Sequence, residues 1–256
     1  MTDSKTPASE VAALQPSPKG LGVLKAAFRE RRTLAMLLLG FSAGLPFAML
    51  FGTLNAWLSD AGVSVATIGV LSWVGLFGAF KFLWSPAVGL TPPVIGRMGR
   101  RRSWLILCQI VLAGALLTIS LSHPGTGAIV VLAGAAALGA FASATQDIVI
   151  DTWRIEVADE RTPVDLLSTV YQLGFRTAAL VGGAGALVLA DQLGWSTTFV
   201  IGAGLMGLGV LGTLIAPEPK AAPRAAIARE RIGSPRLRMT ALVVTLAAWA
   251  WAAFML

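Results

Sequence analysis

Two carboxylates and an arginine stand where charge is hardest to support. In Ala142-Ser-Ala-Thr-Gln-Asp147-Ile-Val-Ile-Asp151-Thr-Trp-Arg154-Ile-Glu156 a strongly apolar segment acquires charges before it ends. Asp147 and Asp151 are four residues apart and Arg154 follows three later, so on a helix all three project from roughly one face. An ionised Asp at the centre of a membrane-crossing helix costs about 2.5–3.5 kcal/mol, so such residues face a bundle interior or an aqueous cavity. The chemistry this offers is carriage of a proton. A carboxylate's hold on a proton depends on its access to water and on nearby cations, so a change of access can load and release one. The competing reading ends the helix near Ile150 and makes Asp151, Arg154 and Glu156 its polar flank.

Other polar groups lie within apolar surroundings. Lys81 sits near one end of an apolar segment, either snorkelling to headgroups or serving as counter-charge to a carboxylate. Tyr171-Gln172-Leu-Gly174-Phe-Arg176 places Gln172 and Arg176 on one helical face. Arg176 needs a partner there, and Asp147 or Asp151 is the expected one, the alternative being a snorkelling arginine. Gln146, Asn55 and Trp57 complete the candidate substrate-binding set with Tyr171, Gln172, Arg176 and Lys81. Trp57 reads either as an interfacial anchor or as a ring that stacks on a ligand, and Trp73 and Trp84 share the second possibility.

The elements that must hold these residues are membrane spans. The chain has 256 residues, 55% of them hydrophobic and 13% charged, with a mean hydropathy of +0.75. Apolar segments run from about residue 34 to 54, 65 to 86, 104 to 121, 127 to 150, 166 to 190 and 195 to 216, and a seventh begins near 240. Lys81 and Arg176 lie within them; the other 18 of 20 Lys and Arg fall in the N-terminal tail or in alternate loops. That distribution sets the N-terminus in the cytoplasm and explains a pI near 10.5 without any nucleic-acid partner. The one cysteine, Cys108, lies in an apolar run and the one histidine, His123, in a Ser-His-Pro-Gly turn, so neither a disulfide framework, a metal site nor a cofactor is expected.

The expected fold is an all-α polytopic membrane protein. Residues 1–32 form a disordered basic cytoplasmic tail, 33–216 a six-span bundle, 217–238 a cytoplasmic linker carrying six Lys or Arg, and 239–256 a seventh span that stops at the last residue. Six spans, a basic linker and the start of another is the layout of half a secondary transporter, in which two bundles rock about a midplane site. On this reading the chain is cut off mid-protein.

Six segments together resemble the AmpG muropeptide permeases, a branch of the major facilitator superfamily. They are Gly40-Phe-Ser-Ala-Gly-Leu-Pro-Phe47, Ala61-Gly-Val-Ser-Val-Ala-Thr-Ile-Gly69, Lys81-Phe-Leu-Trp84, Gly99-Arg-Arg-Arg-Ser-Trp104, Ser143-Ala-Thr-Gln-Asp-Ile-Val-Ile-Asp151 and Tyr171-Gln-Leu-Gly174, in order and at family-like spacing. The resemblance implies the N-terminal bundle of a major facilitator fold and a proton-driven importer in the inner membrane of Gram-negative bacteria. Its cargo would be N-acetylglucosaminyl-1,6-anhydro-N-acetylmuramyl peptides, recycled from the cell wall and tied to β-lactamase induction. It also implies a gating loop, here Gly99, Arg100, Arg101 and Arg102. Where the family opens that loop with Asp-Arg, this chain reads Gly89-Leu90.

The partners so implied are the lipid bilayer, a muropeptide, protons, and a second polypeptide or missing C-terminal half. Rival readings keep the fold with another cargo, such as acyl-coenzyme A or a drug, or make the chain a non-transporting fragment. An intramembrane protease would need carboxylates from two facing helices, whereas Asp147 and Asp151 share one, so no enzyme is expected.

Overall fold

The structure is a computed structural model that describes residues 30–90, 99–124 and 128–219, together with Thr240, Val243 and Ala247. Six of its helices are long and apolar enough to cross a membrane: α1 Arg31–Asp60, α2 Val65–Leu83, α3 Arg100–Leu121, α4 Ile129–Val157, α5 Val164–Leu193 and α6 Trp195–Ile215. The all-α polytopic architecture expected from hydropathy is the one observed. The expected N-terminal tail up to residue 29, most of the linker and nearly all of the seventh segment lie outside the described residues.

Four of the helices, α1, α3, α4 and α5, overrun the apolar segments that nucleate them. α4 continues to Val157, which overturns the reading that ends it near Ile150. The physical reason is that its terminal charges are paired. Arg154 donates to Asp151 at 2.6 Å, and Glu156 receives Arg101, so the last two turns carry no uncompensated charge.

α1 is the central element and packs against α4, α5 and α6. Its closest neighbour is α5, and glycines set that approach. A Cβ on Gly40 or Gly44 would run into the backbone carbonyl of Tyr171 or Phe175, and one on Gly174 into that of Leu37. Small residues let the two backbones meet directly, which in a bilayer substitutes for the absent hydrophobic drive between helices.

Both members of this pair change pitch. Pro46 removes one backbone donor from α1, and Met49–Thr53 then forms a π-helical turn. α5 has its own π-helical turn at Val181–Gly185, beside the first. Side chains take up carbonyls there: Thr53 donates to the carbonyl of Gly182, and Asn55 Nδ2 to that of Phe51 at 2.9 Å.

Two apolar clusters fill the bundle. One gathers Met36, Leu39, Trp84, Trp104, Phe141 and Trp153, and the other Leu45, Leu58, Leu112, Leu116, Phe199 and Met206. Buried amides and hydroxyls lie where they meet. Ser42 donates to Gln146 Oε1 at 3.3 Å, and Gln109 Nε2 donates to Thr213 at 3.0 Å. Most such groups find partners, because an unpaired polar group in an apolar interior is costly, but Gln146 Nε2, Thr33 Oγ1 and Trp104 Nε1 are buried without one among the described residues.

Candidate functional site

The charged cluster is assembled from three helices. α4 supplies Asp147, Asp151 and Arg154 from one face, α2 supplies Lys81 at the start of the tight turn Lys81–Leu83, and α5 supplies Tyr171. Lys81 Nζ lies 3.6 Å from Asp151 Oδ2 and 4.0 Å from Asp147 Oδ2, so one ammonium bridges both carboxylates. The Tyr171 hydroxyl donates to Asp147 Oδ1 at 3.4 Å, and the Arg154 guanidinium lies 5.2 Å from the centre of the Tyr171 ring. Two cations thus face two anions, with an aromatic ring bracing one cation. The cluster keeps contact with the open face of the bundle, since the side chains of Lys81, Asp147 and Asp151 are 35%, 29% and 44% exposed.

Lys81 therefore takes the counter-charge role, and Arg154, a polar flank on the competing reading, belongs to the cluster. The arginine expected to pair with Asp147 or Asp151 does not reach them. Arg176 is exposed, as is Gln172 one turn before it, and Arg176 forms no ion pair among the described residues. Four helical positions separate Gln172 from Arg176, which places them on the open side of α5, whereas Tyr171 turns toward α4.

Of the other candidates, Gln146, Trp57 and Trp84 are buried between helices. Gln146 is fully buried and faces Ser42 on α1. Trp57, at 6% exposure, stacks on Trp195 with the ring planes 13° apart and leans on Phe199. Trp84 is buried on Phe141, its indole nitrogen donating to Thr145 at 3.2 Å, so neither tryptophan offers a free face for a ligand. Trp73 does, at 72% exposure. Asn55 lies between α1 and α2, with Ser72 3.4 Å away.

At the arginine-rich end each basic residue holds a different helix terminus. Arg100 donates to the carbonyl of Gly89, the position where the resemblance expects an acid, and Arg101 grips Glu156 at 2.6 and 3.1 Å. Arg102 donates to the Ala216 carbonyl at 2.6 and 3.2 Å, and the Glu218 carboxylate folds against Gly99. Arg32 donates to Asp159 in the α4–α5 loop. That bond, with donation from the Thr162 amide and hydroxyl, holds the Asp159 carboxyl well below the usual carboxylate range. Three consecutive arginines at the start of α3 thereby tie the short helix Ser85–Leu90 and the ends of α4 and α6 together.

A family model described as Major Facilitator Superfamily matches residues 36–256. The chain belongs to the major facilitator superfamily. Its curated relatives include the anhydromuropeptide permease of Escherichia coli strain K12, 42% identical over 196 residues, which are 75% of this chain and 38% of that protein. An uncharacterized protein of Haemophilus influenzae is 39% identical over 74% of this chain and 44% of its own length. AmpG 4 of Rickettsia felis is 36% identical over 68% of this chain and 42% of its own. The matched part of this facilitator thus spans about two fifths of the length of these relatives.

Serine and glutamine inside apolar spans were the signal that could have found Ser42 and Gln109, since polar residues there are rarely idle. An apolar groove of about 490 Å³ between α3 and α4, lined by Val111, Ala115, Val130, Val131 and Leu138 among others, lies apart from the cluster and carries no charge.

Proposed function

We propose that this chain forms the N-terminal bundle of a proton-coupled importer of anhydromuropeptides, set in a bacterial cytoplasmic membrane with its arginine-rich end in the cytosol. The observation that carries this reading is the cluster of Lys81, Asp147, Asp151 and Arg154, built inside helices apolar enough to cross a membrane. Identity to a protein named anhydromuropeptide permease supports the cargo.

In this mechanism Asp147 carries the proton. While ionised it shares Lys81 with Asp151; once protonated it releases its share, and Lys81 settles on Asp151 alone. Protonation thus lowers the cost of moving α2 against α4, which couples the proton to the change of access. Arg176, with no carboxylate partner among the described residues, binds a carboxylate of the cargo's peptide, and Gln172 beside it adds amide hydrogen bonds. A phosphate-rich cargo fits less well, because Lys81 and Arg154 are already neutralised.

A second bundle, on the same or another polypeptide, closes the pathway against α2 and α5. The Val65–Leu83 stretch has no buried residue, and Leu173, Leu180 and Val188 of α5 stand open. Residues 217–238 link the bundles, and the tail of residues 1–32 lies in the cytosol.

The test is uptake of labelled anhydromuropeptide by cells lacking their own permease, with this chain expressed beside a second bundle. Uptake that responds to an imposed proton gradient, and is lost in Asp147→Asn, is the expected result. Absence of uptake despite verified insertion would sink the cargo assignment.

A further inference from the structure

Four aromatic rings on α1 and α5 stand in unbroken contact, leading from the buried Tyr171 out to Phe47 on the open side of the bundle. Tyr171 and Phe175 have ring centres 6.2 Å apart, Phe175 and Phe47 5.6 Å, and Phe47 and Phe51 5.4 Å. Phe47 is 51% exposed, and Phe51 and Phe175 are half-buried. Single exposed phenylalanines are ordinary on any surface. A connected series that begins on a member of the charged cluster is not, since Tyr171 both donates to Asp147 and lies under Arg154.

The fold builds this strip. At Gly44 the α1 backbone meets the carbonyl of Phe175 so closely that no side chain fits between, and the Phe175 ring is turned out over Phe47. The π-helical turn Met49–Thr53 then keeps Phe51 under Phe47 and leaves Asn55 bonded to the Phe51 carbonyl at the far end. Such turns recur at functional sites, where they re-aim side chains. The strip thus starts at the carboxylates and runs along α1 toward Asn55.

Three of its four rings are phenylalanines, which offer a π face and no hydrogen bond. The matching ligand presents ring C–H groups with few hydroxyls, and joins them to a charged portion that can reach the cluster. An anhydro-sugar meets that description. Its internal 1,6 ether engages two positions that would otherwise carry hydroxyls, leaving a rigid bicyclic C–H surface. A lipid chain would match the rings but has no use for carboxylates and guanidinium at the end of the strip.

Resting on the cargo class proposed above, we infer that Phe47, Phe51 and Phe175 form the subsite that takes the anhydro-sugar face, and so distinguishes it from the ring-opened, hydrated sugar. The peptide portion then points to Tyr171, Arg154 and Arg176.

The experiment is binding of two probes to the full chain in lipid nanodiscs. The probes are the peptide-free anhydro-disaccharide and the same disaccharide with its 1,6 bridge hydrolysed, each followed by titration and by saturation-transfer NMR. Phe47→Leu and Phe175→Leu keep apolar volume and remove the π face; Phe175→Trp keeps it. Wild type binding the anhydro form in preference, with about three- to tenfold weaker binding and lost preference in both leucine variants and retention in Phe175→Trp, is the expected result. Wild-type binding that the leucine variants leave unchanged overturns the subsite and spares the cargo reading. No binding of either probe to the wild type overturns both. Thermal unfolding of each variant in the same nanodiscs checks that a loss of binding is not a loss of fold.

Discussion

Replacing Lys81 by methionine removes one of the two cations that face Asp147 and Asp151 while keeping a long apolar stem. With its four groups ionised the cluster has no net charge, and Lys81→Met leaves it one unit negative. At 3.6 and 4.0 Å, a unit pair attracts by about 4–5 kcal/mol at an effective dielectric constant of about 20. The three side chains keep between 29% and 44% of their surface open, so water screens this attraction and desolvation offsets more, leaving about 1–2 kcal/mol. Asp147→Asn removes the surplus anion, so Lys81→Met combined with Asp147→Asn restores neutrality around the Asp151–Arg154 pair. The single variants should each lose stability, and the double variant should lose about 1–2 kcal/mol less than their sum. Thermal unfolding in nanodiscs, followed by tryptophan fluorescence, reads this at about 2–4 °C per kcal/mol. Additivity to within about 0.5 kcal/mol would refute the bridge and leave Lys81 a solvated side chain.

Four further outcomes follow from the same geometry. Arg176→Gln should leave unfolding stability within about 0.5 kcal/mol of wild type, because Arg176 forms no ion pair among the described residues, while uptake of peptide-bearing cargo collapses. Arg101→Ala strands Glu156 and should cost about 3–5 kcal/mol in denaturant unfolding, with Arg101→Lys recovering only part because an ammonium cannot make both bonds. Gly44→Ala drives a methyl into the Phe175 carbonyl and should cost at least about 1–3 kcal/mol, whereas Gly204→Ala, which meets open space, should be neutral or stabilising by the same melt. Because the folded Asp159 carboxyl lies below its unfolded value, the Arg32–Asp159 link is fully present above about pH 4 and fades only as pH falls through that lower value. Hydrogen exchange of residues 158–163 should therefore stay slow from neutral pH to about pH 4, and be fast throughout in Asp159→Asn.

The six spans were legible because hydropathy is a local property and the bilayer sets one length for every crossing. Periodicity likewise sufficed for the shared face of Asp147, Asp151 and Arg154, since helical spacing alone dictates it. Sequence proximity failed for the partner of the carboxylates. Arg176 follows them on the next helix, yet its register turns it to the open side, and Lys81, some 66 residues before Asp147, closes the cluster. Which helix faces which is decided by the glycine contacts of α1 and α5, and nothing in one strand of sequence states which glycine meets which carbonyl.

The aromatic residues divide in the same way. Eight tryptophans and eleven phenylalanines announce themselves in the composition, but their duties are settled by packing. Trp57 and Trp84, attractive as sugar platforms, are sealed between helices, while Phe47 and Phe175 are left at the surface by backbones too close to enclose them. A membrane bundle, its basic end and an acidic pair within a span can be read along the chain, because insertion energetics act residue by residue. Which cation meets those acids and which rings remain open emerges on folding, because both depend on the mutual rotation of helices far apart in the chain.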